Sequence, residues 1–358
     1  MRITTWMKAT ALSISTLLST SVLADDPLKV GFVYVGPVGD HGWSYEHDQG
    51  RIAMKQHYGD QIETTYVENV AEGADAERVI TQLAKSGHDL IFTTSFGFMN
   101  PTIKAAKRFP QVKFEHATGY KRSKNVSTYT LRTYEGRYVS GVAAAMATKT
   151  NTIGYIASFP IPEVIRDINA VFLGAKSVNP EVKIKIVWVN TWYDPGKESD
   201  AANALMDQGV DIILQHTDSP APLIAAEKRG VMGIGQASDM SHFAPKSHMF
   251  SVRNVWGPHY IRSAEKVVNK DWQPEDFWGG FQDDILQIVS INPSLPQELQ
   301  AAIKATQAKI KSGEFHPFTG PLLDNTGKEV VAAGYTLNDT ELASINWYVE
   351  GIDATIPN

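Results

Sequence analysis

Two periods of hydrophobicity alternate along this chain. Residues 28–35, Leu-Lys-Val-Gly-Phe-Val-Tyr-Val, place apolar side chains in the pattern of a strand that opens a sheet. Residues 44–58 then mix charged and amide residues with Ile52, Ala53 and Met54, as a helix does. Between them, Gly36, Gly39, Gly42 and Pro37 hold the backbone off regular structure at the carboxyl end of the first strand, where open α/β sheets bind ligands. The couplet recurs. Strands are predicted over 61–67, 89–94, 112–115 and 126–131. Helices are predicted over 74–86, with Val79, Ile80, Leu83 and Ala84 on one face and Gly87 as its stop, and over 102–109. Strands separated by helices of this length imply βαβ units and a parallel sheet.

The pattern then restarts. Helices over 134–148, 163–177 (Pro162 in its first turn), 198–208 and 221–229 alternate with strands over 153–157, 183–189, 211–215 and 231–235. Two successive α/β units predict a bilobed α/β protein, two doubly wound parallel-sheet lobes joined by a hinge, with strand-end loops facing one cleft. Beyond Asp239 the alternation loosens into a strand over 249–253, a helix over 257–269, a strand over 284–291 and a charged helix over 296–312. The expected division gives 25–131 and 239–272 to the first lobe and 132–238 and 273–319 to the second. The chain then crosses near 131–132, 237–239 and 271–273. Residues 320–358 carry Trp347, Tyr348, Val349 and Ile352, too apolar a face for water, and are expected to pack as an extension on the lobes near the hinge, away from ligand.

The first residues change the picture. Arg2 and Lys8 precede an apolar run over 9–23, and Val22-Leu-Ala24 fits a small-residue cleavage site, which makes 1–24 a secretory signal peptide. The remaining chain has 31 basic and 39 acidic residues, a formal charge of −8 that disfavours nucleic acid and anionic membranes. There are no cysteines, which excludes disulfides, thiolate metal sites, a cysteine nucleophile and a lipid-modified cysteine at the cleavage site. A free periplasmic protein, expected as a monomer, follows.

Catalytic signatures are missing. There is no Gly-x-Ser-x-Gly elbow, Walker loop or His-Glu-x-x-His, and His41 and His47 are not spaced for one helical face. No metal and no cofactor are expected. The strand-end loops instead carry rings and amides: Gly42-Trp-Ser-Tyr45, Asn69, Ser95-Phe-Gly-Phe98, Thr191-Trp-Tyr-Asp194, Thr217-Asp-Ser219 and Gln236-Ala-Ser-Asp239. Aromatic faces there can stack on a planar heterocycle while Asp, Asn and Ser pair with its edge. Each ring taken alone serves equally well as core packing.

Asp40-His-Gly-Trp43-Ser, Glu135-Gly-Arg-Tyr-Val-Ser-Gly141, Ile153-Gly-Tyr-Ile, Trp192-Tyr-Asp-Pro-Gly-Lys197, Asp207-Gln-Gly-Val-Asp211 and Gly235-Gln-Ala-Ser-Asp239 together resemble the basic membrane protein family. These are substrate-binding proteins of ABC importers with the type I periplasmic-binding-protein fold, and the resemblance runs from about residue 29 to 318. It implies an ABC permease and ATPase as partners and a purine nucleoside or base as ligand. Gly42-Trp-Ser-Tyr-Glu-His-Asp48 and Phe114-Glu-His-Ala-Thr-Gly-Tyr120 are most similar to a subgroup that binds free bases such as adenine. Carried over, Trp43 takes the aromatic position of the family's first loop and Ser44 replaces its Asn. Phe96 and Trp192 match further aromatics, and Arg253 falls near a lysine that reaches the sugar. Ala237 stands where nucleoside binders place a ribose-gripping carboxylate, and Asp239 is retained. The resemblance therefore favours a free base, with a nucleoside or an exported base-processing enzyme as the alternatives. The expected ligand-binding set is Trp43, Ser44, Tyr45, Asn69, Phe96, Trp192, Asp218, Ser238, Asp239 and Arg253.

Overall fold

The computed structural model describes residues 26–39 and 41–357. The signal peptide expected over 1–24 and Asp40 of the first loop motif lie outside the described residues.

The chain opens with β1 (Leu28–Val33), α1 (Gly42–Tyr58), β2 (Ile62–Val67), α2 (Ala74–Lys85), β3 (Leu90–Thr93), α3 (Met99–Arg108), β4 (Lys113–Ala117) and β5 (Val126–Leu131). It continues with α4 (Thr133–Ala147), β6 (Thr152–Ala157), α5 (Pro162–Lys176), β7 (Lys183–Trp188), α6 (Pro195–Asp207), β8 (Ile212–Gln215), α7 (Ala221–Arg229) and β9 (Met232–Ala237). It ends with β10 (His248–Asn254), α8 (Gly257–Val268), β11 (Asp276–Gly279), β12 (Leu286–Val289), α9 (Gln297–Lys311), β13 (Leu322–Leu323), β14 (Glu329–Val331) and α10 (Asp339–Leu342).

Two six-stranded sheets result, ordered β11-β5-β4-β3-β1-β2 and β12-β10-β9-β8-β6-β7. Pairing is parallel throughout except for the antiparallel edge strand β12 on β10. Central strands such as β3 are buried along their whole length, as a sheet covered by helices on both faces requires. Edge strand β2 alternates toward solvent. This is the type I periplasmic-binding-protein fold. Each lobe repeats one strand order, in which the chain runs from its first strand out to the edge and back to the third. The resulting switch points, β1/β3 and β6/β8, are where such sheets open a crevice.

The expected boundaries between lobes shift in two places. Residues 248–254 pair with β9 and so belong to the second sheet, and 276–279 pair with β5 and belong to the first. The chain crosses between 131 and 133, between 254 and 257, and between 279 and 286. The four-residue β11, Asp-Phe-Trp-Gly, gives too short a run for periodicity to show. α8 returns to the first lobe, where Trp256 and Tyr260 join the core of Phe32, Phe92 and Tyr129.

The second lobe is held by an unusually close helix pair. A Cβ on Gly141 of α4 would lie 1.9 Å from Val171 O, and one on Gly174 of α5 would lie 2.1 Å from Tyr138 O. Only glycine at both positions lets the backbones approach this far. Residues 320–357 pack largely on this lobe, with Asp339 and Ala343 near the crossings and the cleft. Leu342, Ile345, Tyr348, Val349 and Ile352 are part of its core, Asn169 bonds Trp347 O and Val349 N, and Arg132 at the first crossing holds Asp339 at 2.6 Å.

Candidate functional site

Both switch points open on one cavity between the lobes. From the first lobe, Val35 follows β1, Trp43 sits in the first turn of α1, Ser95 and Phe96 follow β3, and Thr118 follows β4. From the second, Ile161 and Glu163 open α5 after β6, Trp192 follows β7, His216 and Asp218 follow β8, and Gln236 lies in β9.

The indole of Trp43 is fixed by its surroundings. Its Nε1–H donates to Thr94 O at 2.6 Å, and its ring meets Trp256 and His47 edge-on at 5.3 and 4.6 Å. Burial drives the pKa of His47 well below its ordinary value, so it backs Trp43 as a neutral ring. Trp192 is half-buried, beside Phe159 at 5.0 Å.

The second-lobe wall is polar and braced from behind. Arg137 of α4, 1 % exposed, bonds the Asp167 carboxylate at 3.3 Å and the side-chain oxygen of Gln236. Gln236 therefore presents its amide nitrogen to the cavity. His216 lies 3.5 Å from both Glu163 and Asp167. Burial first, then the nearby Glu198, raise the Asp218 carboxyl well above the usual carboxylate range, against the backbone N–H of Trp43.

The lobes meet around this cavity. Gly42 N donates to Ser238 Oγ at 2.8 Å, Trp192 Nε1 to Glu72 Oε1 at 3.1 Å, and Arg253 pairs with Glu46 at 3.0 Å. Gly42 has φ +81, and a Cβ there would lie 2.3 Å from Asp218 O, so the closed interface admits no side chain at this point.

Residues 28–316 match the family model described as ABC transporter substrate-binding protein, PnrA-like. The chain belongs to this family. It is 50% identical over 341 residues to a purine-binding protein of Brucella abortus, covering 95% of this chain and 97% of that one. It is 39% identical over 333 residues to a Haloferax volcanii protein that bears the name of an ABC transporter glucose-binding protein, covering 93% and 82%. Among solved structures, an ABC transporter solute-binding protein of Aeropyrum pernix K1 superposes with a TM-score of 0.69 at 19% identity, covering 81% and 93%. The protein is an extracytoplasmic substrate-binding protein and not an enzyme. Among the described residues no helix is long and apolar enough to cross a membrane, and no cluster of three His, Cys, Asp or Glu could hold a metal.

Of the expected residues, the fold brings Trp43, Phe96, Trp192 and Asp218 to the cavity wall. The others serve the loops and the lobe interface. Ser44 Oγ accepts from Gly36 N at 3.0 Å, and Tyr45 stacks on His41 at 4.4 Å. Asn69 is an exposed turn residue with φ +56. Ser238 receives Gly42 N, Asp239 bonds Ser241 N at 3.0 Å and Ser290 Oγ at 2.5 Å, and Arg253 is taken by Glu46. Ala237, with φ +59 and 1 % exposed, does not line the cavity. Val35, Ser95, Thr118, Ile161, Glu163, His216 and Gln236 lie outside the expected set, although Ser95 and Gln236 belong to loops that the sequence marks. The available signal was positional, since five of them lie within two residues of the carboxyl ends of β1, β3, β4, β8 or β9.

Proposed function

We propose that this family member captures a purine-like heterocycle, as the free base, and delivers it to the permease and ATPase of an ABC importer from the periplasm, as a monomer without a lipid anchor. The observation that carries this reading is the cavity itself: flat indole and phenyl faces from both lobes line one crevice at the switch points of the two sheets. Aromatic faces stack on planar bases. Asp218 and Gln236 bring polar side chains to the wall, where the edge nitrogens of a base need partners. The free base is favoured over the nucleoside because the groups that the family resemblance assigns to sugar, Asp239 and Arg253, are engaged outside the cavity. The purine-binding relative supports the ligand class.

Calorimetry with adenine, adenosine and glucose tests this. Adenine should bind at least as tightly as adenosine, and glucose far more weakly. A tenfold preference for adenosine, about 1.4 kcal/mol, overturns the free-base assignment. Tight glucose binding without purine binding overturns the purine reading.

A further inference from the structure

Glu72 stands outside the expected site residues and outside the cavity wall, yet it holds that wall together. It lies in the turn between β2 and α2. Its Oε1 accepts from Ser95 Oγ at 2.5 Å and from Gly97 N at 3.1 Å, on either side of Phe96. A Cβ on Gly97 would lie 2.2 Å from the Glu72 carboxyl carbon, so glycine leaves the space that the carboxylate fills. These two bonds stay within the first lobe and seat the carboxylate whatever the second lobe does. The same oxygen also accepts the indole Nε1–H of Trp192 at 3.1 Å, and Trp192 belongs to the second lobe. Ser95, Phe96 and Trp192 all line the cavity.

Sheet order sets this third bond apart. Ser95 and Gly97 follow β3, two places from β5, and Trp192 follows β7, four places from β10. The crossings leave from β5, β10 and β11. At about 4.8 Å per strand the pair is set back from them by on the order of 10 Å, so the lobes cannot turn apart about the crossings without drawing it open. Arg253, by contrast, is the last residue but one of β10, so its pair with Glu46 lies beside a crossing and is stretched less. Within its own lobe the Trp192 ring has Phe159 at 5.0 Å, which steadies its face but not its N–H. A hydrogen bond to a carboxylate is roughly twice as strong as one between neutral groups.

We propose that Glu72 is a positioning residue that latches the closed cleft: its carboxylate, seated by Ser95 and Gly97, takes the Trp192 indole N–H as the lobes shut and so slows the release of ligand. It acts through Trp192 and not on the ligand. The latch rests on ligand capture in this cleft and is independent of the free-base assignment. Stopped-flow association and release tests it, with whichever of adenine, adenosine and glucose the calorimetry above finds to bind. The proteins are wild type, Glu72→Gln, Glu72→Ala, Trp192→Phe and the Glu72→Ala/Trp192→Phe double variant. Phenylalanine keeps a flat face and removes the donor; glutamine keeps an acceptor and removes the charge. Glu72 is exposed, so its variants should fold. Glu72→Ala and Trp192→Phe should each speed release roughly tenfold, the scale of one hydrogen bond to a charged group, with association changed far less. Glu72→Gln should fall between wild type and Glu72→Ala. In the Trp192→Phe background Glu72→Ala should add little, because both changes remove one bond. Losses that multiply in the double variant would make Glu72 only a support for the Phe96 loop and overturn the proposal. Unchanged release from Glu72→Ala overturns it outright. Wild type that binds none of the three ligands overturns the capture reading and the latch with it.

Discussion

In the first lobe the cleft wall is held by packing. Trp43 leans on Trp256 and His47, which in turn belong to an aromatic core of Phe32, Phe92, Tyr129 and Tyr260. In the second lobe the wall is held by charge. Gln236, His216 and Glu163 stand in front of the buried Arg137–Asp167 pair. The order of the central strands is the same in both, so the difference at the wall comes from side chains. One lobe supplies flat apolar faces whose positions are fixed before any ligand arrives. The other supplies directional donors and acceptors whose positions depend on a polar network being complete.

This contrast predicts different responses to damage. Removing Arg137, as Arg137→Ala, leaves the buried Asp167 without its hydrogen-bonded guanidinium, with only Thr133 and His216 beside it, and should cost about 3 kcal/mol of stability in urea unfolding. A loss below about 1 kcal/mol would show that the second-lobe wall does not depend on its ion pair. The next effect concerns pH. Glu135 of α4 accepts Phe281 N at 2.8 Å beside the third crossing, and burial raises its pKa from 4.5 to about 7. The folded state therefore holds this proton more tightly than the unfolded one. Its contribution to stability is full below pH 4.5 and is lost as pH rises through about 7, an overall change of about 3 kcal/mol. Glu135→Gln should flatten the stability profile between pH 5 and 8, and an unchanged slope would assign the effect to other groups. Smallest are the aromatic truncations. Trp43→Ala and Trp192→Ala should each weaken base binding by roughly 1–3 kcal/mol. Trp43→Ala should also lower the melting temperature, because its ring packs into the first-lobe core, whereas Trp192→Ala should act mainly on affinity. Unchanged affinity in both would return the two rings to packing.

Periodicity carried most of the fold, because long buried strands and amphipathic helices are set by local pattern. α2 and β5 appear almost where the apolar residues put them. What it could not carry was the partner of a strand. β10 reads equally well as an edge of either sheet, and only its pairing with β9 decides. The site divided in the same way. Trp43, Phe96, Trp192 and Asp218 are large or charged residues on loops and stand out in the sequence. Thr118 and His216 look ordinary, and their place on the wall follows from strand ends brought together from distant parts of the chain. Asp239 and Arg253 look chemically apt, yet local turns and Glu46 claim them first.

The three crossings, 131–133, 254–257 and 279–286, have a mechanical consequence. Two bodies on a single tether can twist freely against each other. Three straps side by side behave like the spine of a book: they bend together about one line but must stretch if the covers are twisted. Backbone stretches very little. The lobes are thereby limited to nearly one degree of freedom, so that Gly42 returns to the same spot against Asp218 each time the covers shut.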